Sequence, residues 1–200
     1  RDVLMIGLGG GSMAKFIYHR MPGTRVTVVE IRPEVVAAAR SYFEFPEDDQ
    51  RLRVVLEDGA RYVPANPASA DVLLLDGFDD GVQPRDLCSQ SFYDSAFNAL
   101  RPGGVLAVNY MAEDQGLDAM CARLETSFSG RALLVEAADK VNVVVLGLRD
   151  GPAKLAWRDL RARGRQLQIV YGLPFDQMLA SFQERNVGNA RYLTVDVADD

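Results

Sequence analysis

A glycine-rich loop near the start of the chain is its first candidate site, with Gly7, Gly9, Gly10 and Gly11 following a short apolar run. Glycine lets a backbone turn sharply and approach a ligand closely. A helix predicted from Ser12 would add unpaired N–H groups at its N-terminus. Such a loop usually holds a nucleotide or nucleoside, and a tight turn packed on a sheet is the alternative. Ser12 stands where dinucleotide-binding loops have a third glycine or alanine, which disfavours NAD.

Carboxylates follow the second and third predicted strands. Glu30 ends the second strand, about 20 residues after the loop, where a carboxylate can accept hydrogen bonds from both ribose hydroxyls. A surface carboxylate at a strand end is the alternative interpretation. Asp58, with Gly59 and Ala60, follows the third strand. From there Asp58 could meet an adenine amino group or cap a helix.

An acidic segment follows the fourth predicted strand, in which Asp76 directly ends an apolar run and Asp79 and Asp80 come next. With strand order 3-2-1-4-5, the crevice at the carboxyl ends opens between strands one and four. The glycine loop and Asp76 should therefore face each other. Three carboxylates in five residues attract an amine and can accept its proton. A solvated acidic turn is the alternative, above all for Asp80.

Other groups that could do chemistry give weaker signals. His19 is the only histidine, which argues against a histidine-based triad or metal cluster. Cys88 and Cys121 show no metal-ligand spacing and are too few for a disulfide framework, so a reducing compartment is expected. A basic run is interpreted as a solvated face, and it comprises Arg158, Arg161, Arg163 and Arg165.

The elements that must position these residues alternate between strands and helices, which is typical of a parallel sheet covered by helices. Residues 132–136 and 142–148 are then predicted as a hairpin, which breaks that alternation. We expect one domain over residues 1–200, since no linker stands out. The predicted strands are 3–6, 25–31, 52–56, 71–75 and 105–108, with a turn at 101–104; the predicted helices are 12–20, 33–43, one with a capping box at Ser91 and Asp94, 115–128, 153–168 and 175–185.

Composition limits the classes of partner. The 200 residues carry 22 Lys and Arg against 28 Asp and Glu, a net charge of −6. This balance argues against nucleic acid and is compatible with a cationic substrate. No apolar run approaches the roughly 18 residues of a membrane span, and we expect no charged-then-apolar leader. We expect a cytoplasmic protein without a membrane partner, whose natural chain is longer at the N-terminus because this one begins with Arg1.

Five motifs in order resemble the spermidine synthase family of polyamine aminopropyltransferases, over about residues 1–110. They are 3–11 (VLMIGLGGG), 28–30 (VVE), 57–60 (EDGA), Leu75-Asp76 with Asp79, and 91–93 (SFY) with 100–106 (LRPGGVL). The resemblance implies a Rossmann-like α/β fold of the class I AdoMet-dependent methyltransferase type. That fold has a seven-stranded, mostly parallel sheet of order 3-2-1-4-5-7-6, with helices on both faces.

The resemblance also implies a reaction, the transfer of an aminopropyl group from decarboxylated AdoMet to a polyamine or another amine, without a metal. The four loop glycines would pack against the thioadenosine. Glu30 would bind the ribose hydroxyls, and Asp58 with Gly59 and Ala60 would bind adenine. Asp76 would orient and deprotonate the amine, and Asp79 would hold the acceptor. Dimers are common in this family, so a homodimer is a further expectation.

Three departures from the family pattern keep alternatives open. Gly10 stands where the family has an aspartate that holds the donor's terminal amine, so the donor is decarboxylated AdoMet or AdoMet. Residues 136–142 (EAADKVN) lack the family's Pro-Thr-Tyr-Pro stretch. The family's N-terminal β-strand domain is not among residues 1–200, and we expect a shorter, divergent member of the family. An AdoMet-dependent methyltransferase is the first alternative. A non-catalytic nucleoside-binding or scaffold protein is the second, and an NAD-dependent oxidoreductase is the last.

Overall fold

A seven-stranded sheet organises the chain in a computed structural model, which describes residues 1–77, 84–137 and 141–195. The strand order is β3-β2-β1-β4-β5-β7-β6, so the predicted fold class and order are confirmed. The strands are β1 (Asp2–Ile6), β2 (Arg25–Glu30), β3 (Leu52–Leu56), β4 (Ala70–Leu75), β5 (Leu100–Met111), β6 (Ala132–Glu136) and β7 (Asn142–Leu148). The helices are α1 (Ser12–Arg20), α2 (Pro33–Tyr42), α3 (Gly59–Ala65), α4 (Gln90–Ala99), α5 (Leu117–Ser127), α6 (Trp157–Tyr171) and α7 (Phe175–Arg185), with a 3₁₀ turn at Arg85–Cys88. A second, two-stranded sheet pairs β8 (Lys154–Ala156) with β9 (Tyr192–Thr194).

The chain divides into two compact units, Arg1–Ala107 and Val108–Asp200. The expectation of a single domain stays a prediction. In the first unit, β1 is buried from Val3 to Ile6, as expected for a strand covered on both faces. Ala14 of α1 and Ala39 of α2 are fully buried in the same core. Their small side chains let both helices approach the sheet closely.

The parallel register of the first unit fixes where its strands end. Ile6 lies beside Val29 in β2 and beside Leu75 in β4. The next residues along the three strands therefore lie together at the carboxyl ends of the strands; they are Gly7, Glu30 and Asp76. The Gly7 N–H donates to the Val29 carbonyl at 2.9 Å, and the Asp76 N–H donates to the Ile6 carbonyl at 3.0 Å.

The second unit is built on the predicted hairpin, in which β6 and β7 pair antiparallel. Helix α7 contacts β6. A small core joins Trp157 of α6, Phe182 of α7 and Leu193 of β9, all buried. This cluster explains how the two helices after residue 156 are held on the hairpin.

Polar side chains form hydrogen bonds with backbone groups of both edge strands, β3 and β6. At β3, the Val54 N–H donates to Asp48 Oδ2 at 3.0 Å, and the Leu52 N–H donates to Asp49 Oδ1 at 2.7 Å. At β6, Asn186 accepts a hydrogen bond from the Leu134 N–H at 2.7 Å and donates one to the Leu134 carbonyl at 2.8 Å. The side-chain amide of Asn186 therefore makes the two bonds that a neighbouring strand would make.

Some local predictions were wrong. Residues 101–104 belong to β5 rather than to a turn, and residues 154–156 form β8 rather than the start of a helix. The N-cap of α4 is Ser89, whose hydroxyl accepts from the Phe92 N–H at 3.2 Å, and not Ser91. Helix α3 and the strand β9 had no prediction. Within the described ranges, no helix is both long and apolar enough to cross a membrane.

Candidate functional site

A cavity of about 610 Å³ lies in the first unit, at the carboxyl ends of β1, β2 and β4. Its volume falls within the roughly 300–1,000 Å³ of small-molecule sites. It is at the place where the order of a doubly wound sheet reverses, which is where such sheets bind ligands. Its lining comprises Ile6, Gly7, Leu8, Gly9, Val29, Glu30, Ile31, Arg32, Val35, Asp58, Gly59, Asp76, Gly77, Pro84, Asp86 and Leu87.

Gly7 brings the glycine loop against the end of β4. Its φ is +94°, and a Cβ at this position would lie 2.5 Å from the Asp76 carbonyl oxygen. An L side chain is therefore excluded twice, by backbone conformation and by space. The absence of a side chain at Gly7 therefore lets the loop lie directly against the backbone of Asp76.

The four loop glycines divide into two pairs. Gly7 and Gly9 line the cavity, whereas Gly10 and Gly11 are outside its lining. A Cβ on Gly10 would lie 3.3 Å from the Phe43 ring, and one on Gly11 would overlap the Phe45 ring at 2.3 Å. The second pair thus packs against the segment that follows α2.

Glu30 is the buried carboxylate of the site, with only 7% of its surface exposed. Its Oε2 accepts from the Leu8 N–H and its Oε1 accepts from the Arg32 N–H, both at 2.9 Å. One side chain thereby holds the glycine loop and the start of α2. These bonds use two of the roughly four acceptor positions of an ionised carboxylate, which leaves capacity for hydroxyl donors of a ligand.

Asp58 caps a helix and also lines the cavity. Its Oδ1 accepts from the Ala60 N–H at 2.8 Å and caps α3. The same residue lines the cavity together with Gly59, while Ala60 is outside the lining. Capping fixes the orientation of the Asp58 carboxylate at the cavity wall.

Asp76 also lines the cavity, opposite the glycine loop. Asp79 and Asp80 lie outside the described residues, so the role of Asp79 stays a prediction. Asp86, in the 3₁₀ turn, lines the cavity and was missed by the sequence analysis. No sequence signal points to Asp86, because the turn is seen to return to the sheet only in the structure, where the following Leu87 and Cys88 are buried.

The cavity is electrostatically negative in the part of the chain that the structure describes. Its lining has four carboxylates, from Glu30, Asp58, Asp76 and Asp86, and one guanidinium, from Arg32. A low-dielectric cleft lined by one sign of charge concentrates ligands of the opposite sign. The site therefore favours a cationic ligand with hydroxyl and amino donors.

The weaker candidates stay apart from this cavity. His19 stacks edge-on against Tyr18 at 5.0 Å between ring centroids. Burial, with the charges of Glu125 and Asp118, raises the pKa of the Cys121 thiol to about 11, so this cysteine is no nucleophile near neutral pH. Among the described residues, no group of three or more His, Cys, Asp or Glu side chains is placed to hold a metal ion.

Comparison with known proteins decides the family. Residues 1–121 match the spermine/spermidine synthase domain. The chain belongs to the spermine/spermidine synthase family. The polyamine aminopropyltransferase of Chromobacterium violaceum is 36% identical to this family member over 98% of the chain and 75% of that protein. The enzyme of the same name from Neisseria meningitidis serogroup A is 36% identical over 96% of the chain and 73% of that protein.

Methyltransferases are also similar to this spermine/spermidine synthase family member. The eEF1A lysine and N-terminal methyltransferase of Xenopus laevis is 36% identical over 58% of the chain, which is 18% of that protein. Human methyltransferase-like protein 13, solved in complex with SAH, aligns with TM-score 0.77 and 28% identity over 86% of this chain and 82% of that one. A spermidine synthase in complex with the transition state analogue AdoDATO aligns with TM-score 0.70 and 20% identity over 91% and 66%. These relatives confirm the predicted family, fold and transferase class.

Proposed function

We propose that the chain transfers an aminopropyl group from decarboxylated AdoMet to an amine acceptor. The observation that carries this proposal is the single cavity in which Glu30, Asp58 and Asp76 converge at the strand ends. Two polyamine aminopropyltransferases 36% identical over nearly the whole chain support the same reaction. The negative lining of the cavity suits both partners, since the donor is a sulfonium and the acceptor is an amine.

The donor would bind along the wall formed by β1, β2 and α3. Glu30 would accept the ribose hydroxyls with the acceptor positions that Leu8 and Arg32 leave unused. Asp58 would accept the adenine amino group. On the same wall, Ile31 and Val35 supply apolar surface for the adenine ring.

Asp76 would act as the base. Amines have pKa values near 10 and are protonated at neutral pH, so they are not nucleophilic until they lose a proton. Asp76 would accept that proton, and the freed lone pair of the nitrogen would then attack the donor's aminopropyl carbon. As the N–C bond forms, the C–S bond breaks and its electron pair goes to sulfur, which leaves methylthioadenosine. Because the sulfonium is already activated, alignment and a base are the main requirements.

A methyltransferase is the second candidate, and the Gly10 position favours it. The family's loop aspartate, which holds the donor's amine, has no counterpart here, and the Phe43 ring packs where a Cβ would begin. Without that aspartate, one reason to reject a donor bearing a carboxylate is gone. The likeness to human methyltransferase-like protein 13, solved with SAH, supports the same alternative.

Calorimetric titrations with decarboxylated AdoMet, AdoMet and methylthioadenosine separate these functions. Aminopropyl transfer predicts that the decarboxylated donor binds more tightly than AdoMet and supports turnover with diamines. A preference for AdoMet would favour methyl transfer, and no binding of any nucleoside would favour a scaffold protein.

The variant Asp76→Asn tests the base. General-base catalysis contributes about 10²–10⁴-fold, so turnover should fall by about 100-fold or more while methylthioadenosine still binds. Asp94→Asn, an exposed aspartate of α4 outside the cavity lining, is the matched control. Equal turnover in the two variants would refute the role of Asp76.

A further inference from the structure

The basic run of α6 forms one face of a groove in the second unit. Arg158, Arg161 and Arg165 are spaced by three and four residues, so they lie on the same side of the helix. Arg163 is off this face and contacts the Gln166 side chain at 3.4 Å. All four arginines of the run are exposed, as expected for a solvated face.

Two cavities flank that face, and Arg161 and Arg165 line both. One cavity, of about 440 Å³, lies between α6 and α7, where Gln168 and Gln183 add amide groups. The other, of about 520 Å³, also contains Arg158 and Arg191. The second cavity is therefore lined by four arginines, and we call it the arginine groove (Arg158, Arg161, Arg165 and Arg191).

The arginine groove is held by buried packing. Gly164 lets α7 approach α6, since a Cβ there would lie 3.0 Å from Leu179 Cδ1. The buried Trp157 donates from its indole to the Asn189 carbonyl at 3.0 Å. Asn189 Oδ1 in turn accepts from the Arg191 N–H at 2.8 Å. The backbone that carries Arg191 is therefore anchored to α6 by a chain of hydrogen bonds.

The positive charge of the arginine groove is only partly compensated. Arg158 pairs with Asp159 at 3.0 Å, and Arg161 donates to the neutral Gln183 at 3.3 Å. Within residues 1–77, 84–137 and 141–195, Arg165 and Arg191 have no carboxylate within ion-pair distance. Asp176 is the one carboxylate among the described lining of either cavity. Like charges three or four residues apart on a helix are destabilising, and a bound anion would reverse that effect.

We propose that the arginine groove binds a compact phosphate-bearing anion, of the size of a di- or triphosphate group. Guanidinium groups bind phosphate through paired N–H donors in a planar fork, and several of them can surround one polyphosphate. The net charge of −6 opposes long polyanions such as nucleic acid, so a short anion fits the electrostatics better. The groove lies wholly within the second unit, and the proposal does not depend on the transferase reaction.

Titration of the full chain with tripolyphosphate tests this proposal, at about 50 mM salt. We expect one-to-one binding that the double variant Arg165→Gln/Arg191→Gln weakens at least tenfold. Both side chains are exposed, so the variant should keep the circular dichroism spectrum and unfolding midpoint of the parent chain. Arg163→Gln is the matched control, since it removes one charge from the same helix outside the groove, and it should change affinity less than twofold.

Three results would overturn the proposal. Unchanged affinity in the double variant would show that the arginine groove is not the site. An equal loss in Arg163→Gln would show diffuse attraction to the basic helix instead of a site. Tighter binding of an oligo-aspartate peptide than of tripolyphosphate would indicate an acidic protein segment as the occupant.

Discussion

Replacing Glu30 by Gln should both loosen the glycine loop and weaken nucleoside binding. Glu30 accepts two backbone N–H bonds at 2.9 Å, one with each carboxylate oxygen, and it is 7% exposed. Glutamine has one oxygen to offer, so its NH₂ group would face the second N–H donor. Water has little access to relieve that mismatch.

The expected loss of stability follows from these two bonds. A hydrogen bond to a charged group contributes about 1.5–3 kcal/mol, and a neutral one contributes about 0.5–1.5 kcal/mol. Losing one charged bond and converting the other to a neutral one predicts a loss of about 2–4 kcal/mol in unfolding free energy. With a typical urea m-value of about 2 kcal/mol per molar, the urea midpoint should fall by about 1–2 M.

Urea unfolding followed by far-UV circular dichroism measures this loss, with Glu34→Gln as the control. Glu34 is exposed in the first turn of α2 and should cost about 0.5 kcal/mol or less. Methylthioadenosine affinity should fall at least tenfold in Glu30→Gln only. Equal urea midpoints in the two variants would refute the structural reasoning. A lower urea midpoint in Glu30→Gln with unchanged affinity for methylthioadenosine would refute ribose binding by Glu30.

Three further predictions concern other positions. Gly7→Ala should cost about 2 kcal/mol or more in urea unfolding, from the strain of positive φ and the clash with the Asp76 carbonyl; a loss below 0.5 kcal/mol would contradict the loop geometry. Cys121, with its pKa raised to about 11 by burial, should react with iodoacetamide about 100-fold more slowly in the native chain than in urea at pH 8, as mass spectrometry can show; equal rates would be inconsistent with its burial. A hydrogen bond from the Asp2 N–H lowers the pKa of Asp71, and Arg101 lowers it further. This carboxylate therefore stabilises the fold above about pH 4, and that stabilisation is lost as the pH falls. Asp71→Asn should therefore flatten the decline in unfolding free energy between pH 5 and 3, and an unchanged slope would count against that contribution.

The sheet and much of the cavity were predictable from local sequence. Apolar runs such as the one ending at Ile6 have a length and composition typical of buried parallel strands. The switch-point rule then places Gly7, Glu30 and Asp76 at one edge before any coordinates are known. The structure places all three there.

Features that depend on tertiary contacts were not predictable. Asp86 reaches the cavity because the 3₁₀ turn folds back onto the sheet, and the sequence around Asp86 does not predict that contact. Strands of three residues, such as Tyr192–Thr194, are too short to show a period. The space for a side chain at Gly10 is set by Phe43, 33 residues further on, which spacing within the loop does not reveal.

The side-chain bonds at β3 and β6 bear on how copies of this chain can meet. Exposed edge strands are templates for pairing with another chain, and such pairing leads to aggregation and domain swapping. A strand that approached β3 would find the amides of Leu52 and Val54 already bonded to aspartates, with negative charge beside them. One that approached β6 would have to displace Asn186 from Leu134 first. Pairing of either edge strand with a strand of another copy is thereby disfavoured, and with it the aggregation and domain swapping that such pairing starts.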